Sequence, residues 1–221
     1  HKAMSHERML KTEAQLEAEI ASLLRKAELI DAQEDARYGK GKRGDELPKE
    51  LELRQDRLDA LRKAKAELEA EAAADHARCR EQQARAAEEK ATEAAVQAAD
   101  AEAAAAADND EADAESEAAA WALAKEAQQA ERRARSARGR AELARKLAID
   151  KAQAAGLSTP DPLSSMDPLA MPSRNLPTTA AGDPKAKAQR NFTDPDSHIL
   201  KGGDGWIQGY NCQAAVDGDH Q

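Results

Sequence analysis

At 221 residues the chain has the length of one ordinary domain or two small ones, yet 2% of it is aromatic, 34% is charged, and most of its 41% hydrophobic content is alanine. At about 25 cal/mol per Å² of buried apolar surface, that composition excludes an aromatic-rich compact core and favours long helices packed along narrow seams. The formal net charge of -9 argues against general coating of nucleic acid, and no apolar run approaches the roughly 20 residues of a membrane span; a cytoplasmic protein with no membrane partner is expected.

Taken in chain order, residues 3–37 place Met9, Leu16, Leu23 and Ile30 seven apart, with Ile20 and Ala27 at the intervening seam positions. This heptad stripe predicts a helix that pairs with another. Tyr38-Gly-Lys-Gly-Lys-Arg-Gly-Asp45 breaks it with three glycines, and Pro48, suited to a first helical turn, restarts a helix. Leu47, Leu51, Leu58, Leu61 and Leu68 extend the stripe, so the two helices are expected to fold back as an antiparallel hairpin.

From 69 to 107 leucine gives way to alanine: helix propensity stays high, and no packing stripe is expected beyond Cys79 and Val96. Asp108-Asn109-Asp110 marks a turn or a new helix cap, after which 111–155 resumes with Trp121, Leu123, Leu143, Leu147 and Ile149. Folding back there would set basic 143–151 beside acidic 67–75. Gly156 ends the helices, 157–184 reads as a proline-rich linker, and Ser197–Leu200 with Trp206–Val216 read as two strands around the turn Lys201-Gly-Gly-Asp-Gly205.

Charge is unevenly spread. Residues 88–118 hold eleven Asp or Glu against one Lys, and 131–151 hold eight Lys or Arg against three acids. Arg132, Arg133, Arg135, Arg138 and Arg140, with Lys40, Lys42 and Arg43 in the first glycine-rich loop, are therefore the candidate nucleic-acid contacts, each neutralised phosphate adding affinity. The same run equally describes a solvated helix face or an internal partner for the acidic helix.

No catalytic or metal site is expected in the chain. Asp194, Asp196, Asp217 and Asp219 lie beside turns, where aspartate commonly initiates the turn itself. The five histidines, His1, His6, His76, His198 and His220, lack metal-ligand spacing, and the lone Cys79 and Cys212 form neither a CxxC nor a disulfide framework; Cys79 reads as a small apolar filler. The 201–205 glycines lack phosphate-loop spacing, and the sequon Asn191-Phe192-Thr193 is set aside as a chance match.

Four stretches together carry a resemblance: HKAMSHERM at 1–9, DARYGKGKRGDELPKEL at 35–51, DPKAKAQRNFTDPDSHIL at 183–200 and GWIQGYNCQAAVDGDHQ at 205–221. In this order the chain resembles bacterial insertion-sequence transposases of the DDE type. His6 stands where that family often has an aromatic residue, Cys212 where it usually has alanine, and 69–155 is long for it. The resemblance implies an RNase H-like catalytic domain interrupted early by a helical insertion, with the QGYN stretch returning to the central sheet. It also implies two-metal phosphoryl transfer, three carboxylates holding Mg²⁺, none of which falls within 1–221. The start at His1 and the turn-like Asp217-Gly218-Asp219 near the end fit an internal fragment.

The reading that follows is a mainly α protein: a heptad-striped antiparallel hairpin over 1–72, alanine-rich charged helices over 73–155, a linker over 156–188 and a β-hairpin over 189–221 belonging to an incomplete RNase H-like domain. It would be the central portion of a DDE transposase, reaching DNA through the intact parent and not catalytic alone, with its heptads also able to pair between chains. The alternative is a stand-alone coiled-coil interaction or spacer protein.

Overall fold

The computed structural model of the chain describes residues 3–38, 49–107, 114–158, 176–194, 197–202 and 205–209. The protein is mainly helical, with strand β1 (Ala3–Ser5), helices α1 (His6–Tyr38), α2 (Lys49–Ala107) and α3 (Ala114–Ala154), and strands β2 (Gln189–Asn191), β3 (His198–Gly202) and β4 (Gly205–Gly209). It divides into two compact units, His1–Leu68 with Pro184–Gln221, and Glu69–Asp183. The glycine-rich break and the Asp108-Asn109-Asp110 turn lie outside the described residues.

In the first unit the heptad residues do what their spacing predicts over the first half of α1. Met9, Leu16, Leu51, Leu58, Leu61 and Leu68 are buried, whereas Ile30 is 55% exposed. Ion pairs flank this seam in antiparallel order: Glu13 with Lys65 and Arg62, Glu17 with Arg62, and Glu19 with Arg54. Hydrogen bonding from Lys65, reinforced by Arg62, outweighs burial and holds the Glu13 carboxyl below its ordinary range.

The unit also contains a pairing that sequence reasoning missed. β1 runs antiparallel to β2, with Ala3 opposite Asn191, Met4 opposite Arg190 and Ser5 opposite Gln189. The returning chain then caps α1: His6 N–H donates to the Ala188 carbonyl at 2.8 Å and Glu7 N–H to that of Ala186 at 3.2 Å, satisfying two of the donors that a helix start leaves open. Arg190 reaches Glu67 of α2 at 2.7 Å. Just beyond, the Asn191 amide donates to Ser197 Oγ at 2.9 Å and its oxygen accepts from the Thr193 N–H and hydroxyl. This local turn takes up the buried Asn191 side chain.

β3 and β4 form an antiparallel ladder from His198 opposite Gly209 to Gly202 opposite Gly205. The strands extend into the expected turn, taking in Lys201, Gly202 and Gly205; residues 203–204 lie outside the described residues. Residues 210–216 of the expected second strand lie outside the described residues.

In the second unit the expectation of an unstriped alanine stretch is corrected. Ala73, Ala77, Ala144 and Ala148 form one buried cluster, and Ala84, Ala137 and Ala141 another, with Ala87 packed against it. On α2 the positions 73, 77, 80, 84, 87, 91, 94, 98, 101 and 105 step by four and three, and each is buried or half-buried. α3 answers with 123, 127, 130, 134, 137, 141, 144 and 148 in the same rhythm. This is a heptad written in alanine, whose methyl groups let two helix backbones approach closely enough for van der Waals contact to replace large side chains. The larger residues expected to carry the α3 stripe include two that face water, Trp121 at 67% and Leu143 at 71% exposure.

Gly156 ends α3 as expected, with φ of 67°. Its N–H donates to the Gln153 carbonyl and that of Leu157 to the Ala152 carbonyl, the paired bonds of a glycine-terminated helix. The linker reading needs amendment from 176 onward. Leu176 is buried and its N–H donates to Asp75 Oδ2 at 2.7 Å, while Lys151 binds Asp183 at 2.5 Å. Gly182, at φ of 89°, lies against His76 so closely that a Cβ there would fall 2.9 Å from its Nδ1. Burial, with the Arg80 charge in support, lowers the His76 pKa.

Candidate nucleic-acid interface

The arginine run of α3 occupies its middle, where the alanine seam at 130, 134, 137 and 141 takes one face and leaves the intervening positions to the charged residues. Arg138 falls beside the seam and is half-buried. Its guanidinium binds Glu81 at 2.9 Å and Glu88 at 2.6 Å, two carboxylates seven residues apart on α2 and so on one face of that helix. The hydrogen bonds raise the Arg138 pKa and, in return, hold Glu88 low. Burial pushes Glu81 up, but Arg138 and Arg85 together bring it below its usual value. Arg138 is thus the internal partner of the acidic helix, and its donors are committed.

The other four arginines of the run are exposed. Arg135 pairs with Glu131 at 2.8 Å one turn away, and Arg140 donates to Ser136 Oγ at 2.8 Å. Both contacts are local and solvent-facing, and such pairs are worth under about 1 kcal/mol, so phosphate could displace them. Arg132 and Arg133 make no ion pair among the described residues. Two turns nearer the start of α3, Lys125 sits 5.1 Å over the exposed Trp121 ring. Between α2 and α3 a cleft of about 650 Å³ includes Lys90, Lys125 and Arg133 in its lining, but Glu93 and Glu126 share it, so its field is mixed. The exposed basic face, rather than this cleft, is what could track a polyanion.

Lys40, Lys42 and Arg43 lie outside the described residues, as do Asp196, Asp217, Asp219 and Cys212. Asp194 accepts from Ser197 through its backbone carbonyl at 3.0 Å, a turn contact. Among the described residues no three His, Cys, Asp or Glu side chains gather as a metal site, and no helix is long and apolar enough to cross a membrane. Cys79 is exposed, which corrects the expectation of an apolar filler: it falls off the seam, between Ala77 and position 80. No known protein family, curated protein or solved structure matches this chain.

Proposed function

We propose that this chain is the central portion of a DDE transposase: a helical insertion with the strands that flank it, serving DNA transposition through the intact parent in the cytoplasm. One observation carries most weight. β1 and β2 are paired neighbours, so the helical excursion between them starts and finishes at one place. An insertion accommodated by a host sheet needs its two ends close together. The segments that meet there, Ala3–Ser5 and Gln189–Asn191, belong to two of the stretches that carry the family resemblance. On this reading the three metal-binding carboxylates belong to the parent, and Mg²⁺ with them. Arg132, Arg133, Arg135 and Arg140 would contact DNA phosphates.

The rival is a stand-alone helical spacer, favoured by the length of α1, α2 and α3, at 33, 59 and 41 residues. A spacer has no use for joined ends. Reading the coding frame on both sides of this chain separates the two. The expected result is an Asp-bearing strand upstream and further strands bearing Asp and Glu downstream, with Mg²⁺-dependent nicking of duplex DNA by the intact product and none by this chain. Stop codons bounding both sides would sink the transposase reading.

The interface is tested in the same product. Arg132→Glu with Arg133→Glu is expected to weaken duplex binding across sequences and to reduce the slope of log affinity against log salt by about 1 for each phosphate that is no longer neutralised. An unchanged slope would return the run to a solvated helix face.

A further inference from the structure

The first unit holds a pocket of about 400 Å³ between α1, α2, β1 and the turn after β2, a size within the range of small-molecule sites. Its floor is buried Leu16 and Leu61, and half-buried Met4 and Phe192 wall it. Position 60 of α2, also in the lining, is an alanine, whose methyl group takes up little of the space. Two arginines, Arg8 and Arg57, stand exposed among its lining residues.

Those two cations differ from their neighbours. Arg54 and Arg62 on the same helix hold glutamates of α1, whereas the guanidiniums of Arg8 and Arg57 make no hydrogen bond or ion pair among the described residues. Arg57 feels the Glu19 charge only through space. In a chain with nine more acids than bases, two uncommitted guanidiniums beside one apolar pocket are conspicuous.

We propose that this pocket binds a small aromatic carboxylate, its ring held between Phe192 and Met4 and its carboxylate received by Arg8 and Arg57. A planar guanidinium matches a carboxylate through paired N–H donors, and it also stacks on an aromatic face. The thioether of Met4 and the ring of Phe192 both favour an aromatic body over an aliphatic one. The site rests on the pocket alone and on no part of the transposase reading.

The test is an amide-shift titration of the full chain with naphthalene-2-carboxylate, beside its neutral alcohol, 2-naphthalenemethanol. Saturable shifts confined to residues around 3–16, 57–61 and 192 are expected for the acid, with the alcohol at least about tenfold weaker. Arg8→Gln with Arg57→Gln should cost a further factor of about ten in affinity for the acid while helix content by circular dichroism stays the same. Should that pair lose helix, Ala60→Leu, which fills the pocket without touching a charge, decides in its place by weakening both ligands. The assignment is overturned by no saturation up to roughly 10 mM, by equal binding of acid and alcohol, by shifts centred elsewhere, or by an Ala60→Leu chain that binds as before.

Discussion

Ala77→Leu, which makes the chain more hydrophobic, is expected to destabilise it by about 3 kcal/mol. Ala77 is 2% exposed and packs with Ala73, Ala144 and Ala148 across the α2–α3 seam. An isobutyl group in place of that methyl adds three carbons to a site that is already buried among small side chains, and a close-packed interior takes up added volume poorly. The larger group must push α2 and α3 apart, which weakens dispersion attraction along the neighbouring turns as well as at 77. Ala95→Leu is the matched control: the same chemical change at an exposed position of the same helix, expected within about 0.5 kcal/mol of the parent. Urea unfolding followed by helical circular dichroism measures both. A midpoint for Ala77→Leu equal to or above that of Ala95→Leu would mean that the seam is loose and that α2 and α3 are not held by close packing.

This seam also shows where the sequence was hard to read. In α1 and early α2 the leucines stand out against polar neighbours, and Leu51, Leu58, Leu61 and Leu68 are buried as their spacing demands. Beyond residue 69 the same four-three rhythm is present, but alanine also fills exposed positions such as 86, 95 and 99. The contrast that periodicity relies on is therefore missing. The surer signal was what avoids the rhythm: from 84 to 105 every charged residue of α2 lies off it. The β1–β2 pairing was illegible for a different reason. Strands of three residues have no measurable alternation, and their pairing spans the whole helical excursion. At the candidate interface, sequence alone could define the arginine run but not divide it. Arg138 is distinguished from Arg135 and Arg140 only once the α2–α3 register sets Glu81 and Glu88 opposite it.

That division yields the second large effect, since Arg138→Gln is expected to cost about 2 kcal/mol. The guanidinium makes four charge-assisted contacts, at 2.6 to 2.9 Å, with Glu81 and Glu88, and the figure is held down because its side chain is 34% exposed. Glutamine cannot replace the charge. Glu81, 16% exposed, would keep only Arg85 at 3.2 Å, and two neighbouring carboxylates would lose their shared counter-charge. The effect should depend on acidity in a defined direction. Both carboxyls titrate below their ordinary range in the folded chain, so their contribution is complete above the usual glutamate pKa and is lost as pH falls through the lowered folded values. The gap in stability between the parent and Arg138→Gln is therefore expected to be full at neutral pH and to narrow on acidification below about pH 4. Denaturant midpoints of both proteins across that range decide it, and a gap independent of pH would show that Arg138 acts through packing of its aliphatic stem instead. Because its donors are committed internally, the substitution should also leave the salt dependence of any DNA binding unchanged, in contrast to Arg132 and Arg133. A reduced salt slope for Arg138→Gln would place this arginine back among the phosphate contacts.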